Sequence, residues 1–216
     1  DQPQLPTHPL AWTMISHIFW DGMAPETLSV GQQEAMLDWL QWGGQLIIVG
    51  GAGPSFTPIA ESFLGPYLPG LPNGDNKLLE GEDLAAFSRK YFPSAVFRDP
   101  EDLLEETQSY EEVWRKFGRR YQPTPSALRI APKKPLYLSG MTPKPGASVV
   151  SLGRKDLPPL AVEARVGRGR IIMVGVNIVE PTLLAWPGYE TFVRRVLLRR
   201  VEDPKRSELG YAQNGG

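Results

Sequence analysis

A three-layer α/β fold, with a mostly parallel sheet and a C-terminal antiparallel hairpin, is what this 216-residue sequence predicts. Three observations carry the prediction. The first half runs apolar segment, loop, capped helical stretch, Gly43-Gly44 and short β-rich run, the strand–helix–strand alternation of an α/β layered fold. Residues 12–20 and 45–49 are apolar with little alternation, which suits strands covered on both faces. Near the C-terminus two β-rich runs, 160–166 and 170–176, flank a Gly167-Arg168-Gly169 turn, the spacing of a hairpin.

Taken in order, residues 1–11 are proline-rich and read as an extended lead-in, and residues 12–20 as a buried strand. Ser29 and Gln32 form a capping-box pattern: the serine oxygen can accept from an early helix amide and the glutamine can reach back to the cap. Ala35, Met36, Trp39 and Leu40 then recur at helical spacing, and Gly43-Gly44 ends the helix because glycine tolerates the left-handed cap. Residues 45–49 are a short strand running into Gly50-Gly51-Ala52-Gly53.

The middle is less regular. A short helix is expected over 82–91, and a longer one from Asp99-Pro100-Glu101 to about Phe117, with a capping aspartate, proline in the first turn and acids near the positive end of the dipole. Residues 121–135 read as a surface excursion, and 135–139 and 148–152 as short strands. After the hairpin, Trp186-Pro187-Gly188 leads into a helix over 189–200 that buries Phe192, Val193, Val196 and Leu197 and leaves Arg194, Arg195, Arg199 and Arg200 solvated. Neither a repeat nor a clear linker is visible, so residues 1–216 are expected to form one domain, with a frayed tail at 203–216.

Composition narrows the chemistry. With 41% hydrophobic and 22% charged residues the chain has the make-up of an ordinary globular protein, and a formal charge of −1 exerts no overall pull on nucleic acid or anionic membrane. No apolar run approaches the roughly 18 residues that a membrane-spanning helix needs. The chain starts at Asp1 without a leader pattern, as expected of a processed chain or a domain cut from a longer one. It contains no cysteine, which removes disulfides, thiolate metal sites and thiol nucleophiles.

Each candidate site has a plain structural reading beside it. Gly50, Gly51, Gly53 and Ser55 follow a strand, as a phosphate-cradling loop would. They lack the lysine and spacing of a P-loop, and a strand-exit turn is the stronger reading. In open α/β sheets ligands favour the carboxyl ends of strands, so Gly50 to Ser55 together with Asn177 and Glu180 should border any pocket. His17 sits among apolar residues and reads as a core histidine, since no further ligands stand at zinc spacing; His8 lies near prolines. Glu61, Glu80, Glu82, Asp83 and Glu180 show no spacing diagnostic of paired acid–base catalysis. Trp186 reads as a packing anchor. The basic residues from Lys116 to Lys134 have too few interleaved aromatics for a nucleic-acid surface and read as a solvated face.

Residues 160–176 and the following Asn177–Pro181 resemble the end of class I glutamine amidotransferase domains, where a hairpin leads into a Gly-Val-Gln-Phe-His-Pro-Glu type sequence, matched here by Gly175-Val176-Asn177-Ile178-Val179-Glu180-Pro181. The family's histidine position is taken by Val179, and Glu180 is a displaced counterpart of its acid. The Gly-x-Cys-x-Gly nucleophile elbow is missing, with cysteine or with serine, and both histidines lie before the first helix. A triad needs nucleophile, base and orienting acid, and two of those roles are empty. The chain is more similar to noncatalytic amidotransferase-like domains of large membrane-anchored bacterial proteins. The matching residues are Leu28, Gln32 or Gln33, Leu37, Trp39, Gly43, Gly44 and Leu46, then Gly167, Gly169, Arg170, Trp186 and Gly188, about a third of the chain.

The resemblance implies a flavodoxin-like, amidotransferase-like scaffold without catalytic residues, cofactor or metal. It implies an interaction or ligand-sensing module of a larger bacterial protein. The expected partners are a protein or other domains of the parent chain and not nucleic acid, with membrane contact only through the parent; the compartment stays open. The alternative is a hydrolase or transferase using a non-cysteine set on the same fold, with Ser55 or Ser139 as the serine to watch.

Overall fold

A computed structural model describes residues 5–50, 56–91, 136–184, 186 and 188–200. In chain order its strands are β1 (His17–Trp20), β2 (Gln45–Val49), β3 (Gly70–Pro72), β4 (Lys77–Leu79), β5 (Leu136–Leu138), β6 (Met141–Pro143), β7 (Ser148–Val150), β8 (Ala161–Val166) and β9 (Gly169–Val174). Its helical segments are α1 (Val30–Trp42), α2 (Thr57–Ala60), α3 (Gly81–Tyr91), α4 (Pro181–Leu184) and α5 (Tyr189–Phe192). The main sheet has five strands in the order β1-β2-β9-β8-β7. β1, β2 and β9 are parallel neighbours, and β8 is antiparallel to both β9 and β7, so four of the five strands point the same way. Two small antiparallel pairs, β3 with β6 and β4 with β5, lie outside this sheet.

Alternation along the strands divides the interior into two cores, one per face of the sheet. Leu46, Ile48, Ile171, Met173 and Val162 pack with Trp12, Met36, Trp39 and Leu40 from the α1 side. Ile47, Val49, Ile172, Val174 and Ala161 pack with Leu84 and Phe87 of α3 and with Leu183, Trp186, Phe192 and Leu197 of the C-terminal segments. β2 and β9 are therefore buried on both faces, which is why their sequences read as apolar runs.

Helix α1 begins as its sequence dictates. Gln32 N–H donates to Ser29 Oγ at 3.4 Å, and Ser29 N–H donates to Gln32 Oε1 at 2.9 Å, closing the capping box. It ends at Gly43, whose φ of 129° is open to glycine and strained for other residues. The hairpin turn then docks onto this helix end. Arg168 N–H donates to Gln41 O at 2.9 Å and Arg170 N–H to Gly44 O at 3.0 Å, satisfying carbonyls at and just beyond the helix end. A Cβ on Gly169 would collide with Leu40 O and Gly44 O, and one on Gly167, at φ 59°, would lie 2.7 Å from Gln41 O.

Two tryptophans explain two further glycines. A Cβ on Gly44 would enter the Trp39 ring, and one on Gly188 would enter the Trp186 ring. Trp39 is 3% exposed and its indole N–H donates to Ile15 O at 2.6 Å. Gly167 and Gly169 thus let the hairpin approach the α1 end closely, while Gly44 and Gly188 make room for tryptophan rings.

Several expectations are corrected. Residues 12–20 are not one buried strand: Pro9–Trp12 is a 3-10 turn started by Pro9, with His8 Nδ1 accepting from Leu10 N–H, and only His17–Trp20 is extended. That strand is an edge strand, with Phe19 43% exposed. The C-terminal helix is shorter than residues 189–200: after α5 the chain makes a π turn over Val193–Leu197 and reaches φ 52° at Arg199. Of the arginines expected to be largely solvated, Arg199 and Arg200 are exposed and Arg194 and Arg195 are half-buried. The strand expected over 135–139 is present as β5, but it pairs with β4 and not with the main sheet. The helix expected over 99–117, the excursion over 121–135 and the tail at 203–216 fall outside the described residues.

Candidate functional site

The carboxyl ends of β2 and β9 bring Gly50 against Val174 and Gly175, just before Asn177 in the chain. Gly50 N–H donates to Val174 O at 2.7 Å, and a Cβ there would lie 2.7 Å from that oxygen and 2.8 Å from the Phe56 ring. Glycine at position 50 is thus required by close packing of strand ends. Gly51, Gly53 and Ser55 lie outside the described residues.

Asn177 is spent on its own turn. Its Oδ1 accepts from Val179 N–H at 3.0 Å and its carbonyl accepts from Glu180 N–H at 3.2 Å. Glu180 O then accepts from Leu183 and Leu184 N–H at 2.9 and 3.0 Å, which starts α4. Val179 is 56% exposed. Glu180 Oε1 and Trp186 Nε1 are buried without a hydrogen-bond partner among the described residues, an acceptor and a donor left open in the same connection.

The other carboxylates do not gather here. Asp83 is buried, accepts from Glu80 N–H at 3.1 Å and pairs with Arg154 at 3.1 Å, so it caps α3 and ties down the loop before β8. Glu61 borders a separate cavity of about 580 Å³ beside α2, together with Glu26 and Gln33. Among the described residues no group of three or more His, Cys, Asp or Glu side chains could hold a metal ion. No described helix is long and apolar enough to cross a membrane.

A second polar cluster occupies the opposite, amino end of the parallel strands. It was not legible from spacing, because it joins residues far apart in sequence. Arg170 donates to Glu163 Oε2 at 2.9 Å, to Gln45 Oε1 at 2.6 Å and to Leu197 O. Arg199 donates to the other oxygen of Glu163. Glu163 and Arg170 side chains are only 12% and 11% exposed, so a nearly buried ion pair fastens the C-terminal segment to the start of the sheet. The available signal was a charged residue inside each of two apolar strands.

His17 stands at this same end, in register with Gln45. Its Nδ1 lies 2.8 Å from Ser16 Oγ, and its Nε2 is buried without a hydrogen bond of good geometry among the described residues. Burial first, then the charges of Arg200 and Arg170, hold its imidazole below the ordinary value of 6.5, against smaller opposing contacts with the Leu198 backbone and Gln45. These cations disfavour imidazolium, so the Ser16–His17 contact makes a poor nucleophile–base pair.

The same shift predicts a pH dependence of stability. The folded pKa is depressed, so stability is full above 6.5 and falls as acidification protonates the unfolded chain first; the loss ends once pH drops below the folded pKa. Urea unfolding of the wild type should lose stability over this window, and His17→Gln should flatten the loss. Equal slopes for the two proteins would contradict the assignment.

No protein-family model matches the sequence, and no curated protein matches it significantly. Among solved structures the chain is similar to Cytoplasmic Protein STM1381 from Salmonella typhimurium LT2, with a TM-score of 0.53 and 16% identity over 93% of this chain and 78% of that one. It is likewise similar to Cytoplasmic Protein STM3548 from Salmonella typhimurium, with a TM-score of 0.53 and 12% identity over 94% of this chain and 78% of that one. Identities this low establish shared architecture alone; in this chain that architecture is a mixed α/β fold with a five-stranded sheet.

Proposed function

We propose that this chain is a noncatalytic, amidotransferase-like domain of flavodoxin-like type, working as an interaction or ligand-sensing module in a larger bacterial protein. The observation that carries the reading is the separation of parts. Val179 stands where the family's histidine belongs, beside the strand ends, while His17 lies at the opposite end of the sheet. The chain has no cysteine to serve as nucleophile. What is retained of the family pattern is structural: Gly44, Gly167, Gly169 and Gly188 each make room for backbone or a tryptophan ring. A domain that keeps its packing glycines without its reactive groups is suited to binding, through a protein partner or neighbouring domains of its parent, and any membrane association would come from that parent.

Glutamine turnover is the test. The purified chain is expected to release no ammonia from glutamine above the buffer rate, and catalytic release would overturn the proposal. One observation favours a second reading, a hydrolase or transferase with a non-cysteine set: the buried, unpartnered Oε1 of Glu180 beside the strand ends. Activity in the same assay that disappears in Glu180→Gln would select it.

A further inference from the structure

Among the described residues a strongly charged feature lies at the end of the hairpin, away from the strand-end candidates. A cleft of about 1320 Å³ runs along the turn between β8 and β9 and the loop before β7. Its charged lining is Lys144, Arg165, Arg168, Arg170, Arg199 and one acid, Glu163, a local excess of four positive charges on a chain whose formal charge is −1. Glu163 is already shared by Arg170 and Arg199. Lys144 Nζ donates to Gly65 O at 3.1 Å, a neutral partner that leaves its charge uncompensated. Arg165 and Arg168 are exposed, and among the described residues the one acid that lines the cleft, Glu163, is taken by Arg170 and Arg199.

The arrangement costs the fold something. Arg165 and Arg170 are directly opposed across β8 and β9, and like charges so placed repel. The sheet edge here is also open. β7 pairs with β8 only at Ala161, Val162 and Glu163, so the stretch 164–166 of β8 has no strand on that side among the described residues. The cleft therefore offers an extended backbone edge flanked by guanidinium groups, whose planar forks match carboxylates.

We propose that this notch binds an acidic, extended segment of a partner protein, laid along the end of β8 with its Asp and Glu side chains on Arg165, Arg168 and Arg199. Two features favour peptide over nucleic acid. The lining has one aromatic ring, Tyr67, where single strands want a series of stacking platforms. The open strand edge suits a peptide backbone. The proposal rests on the interaction-module reading and names its partner chemistry; the ammonia assay tests that reading separately, so the two can fail independently.

The experiment is a fluorescence-anisotropy titration of the whole chain with a labelled Asp/Glu-rich peptide, its Asn/Gln counterpart and a single-stranded oligonucleotide of equal charge. The acidic peptide should bind in a salt-sensitive way and the neutral one should not. Arg165→Glu with Arg168→Glu should weaken binding by about tenfold or more, while Lys90→Glu on α3, outside the cleft, should leave it unchanged. If the charge reversal unfolds the protein, Arg165→Ala with Arg168→Ala gives the same readout, with thermal melts as the folding control. Absence of acidic-peptide binding, indifference to the arginine substitutions or tighter binding of the oligonucleotide would each overturn the proposal.

Discussion

Gly169→Ala is expected to destabilise the protein by about 3–5 kcal/mol, combining overpacking of about 1–3 kcal/mol with about 1 kcal/mol for each hairpin-to-helix hydrogen bond displaced. The added methyl has nowhere to go, because it would collide with Leu40 O and Gly44 O, both main-chain atoms. Relief means lifting the hairpin off the α1 end, which strains the Arg168–Gln41 and Arg170–Gly44 bonds. Against a typical stability of about 5–15 kcal/mol that is a large fraction. Arg168→Ala is the control: it keeps the main-chain bond to Gln41 and removes only an exposed side chain, so its effect should stay within about 0.5 kcal/mol. Denaturant unfolding reads both. Equal, small effects for the two variants would mean that the hairpin does not dock through its backbone.

Glu163→Gln should be nearly as damaging, about 3 kcal/mol, because it strands the Arg170 guanidinium in a poorly hydrated place. Arg170 keeps Gln45 and the Leu197 carbonyl, so its hydrogen bonding is only partly lost, but it loses its counter-charge. Burial first, with the charge of Arg199 added, already disfavours its charged form despite the nearby carboxylate. Replacing both partners, as Glu163→Leu with Arg170→Met, should recover much of the loss, since an apolar pair of similar volume carries no desolvation penalty. A double variant as unstable as the sum of its singles would show that the pair is not coupled.

What the sequence disclosed, and what it hid, follows from the range of the interactions involved. The α1 capping box was legible because Ser29 and Gln32 are three residues apart and their chemistry is local. β2 was legible because burial on both faces writes itself as the run Gln45–Val49. The edge position of β1 was not, since an apolar run does not say whether its neighbour is another strand or solvent, and the Pro9 that begins a 3-10 turn was overridden by the hydrophobic residues after it. Strands β3 and β6 were hidden because Gly70, Pro72 and Pro143 break up their β-rich character.

The candidate site divides in the same way. Gly50 meets Val174 and Gly175, two residues before Asn177, because parallel strands end together, a consequence of fold class that the sequence could supply. The tie from Arg170 to Gln45 spans 125 positions and has no local signature. Nor could periodicity show that Gly44 and Gly188 exist to admit tryptophan rings. The family resemblance pointed to those residues, and close packing supplies the physical reason for them.

The central claim, a layered scaffold whose reactive groups have gone, is most directly tested by single-turnover ammonia release from glutamine with the protein in excess. This detects a covalent step even when turnover is slow. The account predicts that folded and heat-denatured chains give the same trace, at the background rate. A burst of ammonia stoichiometric with the folded chain would contradict it.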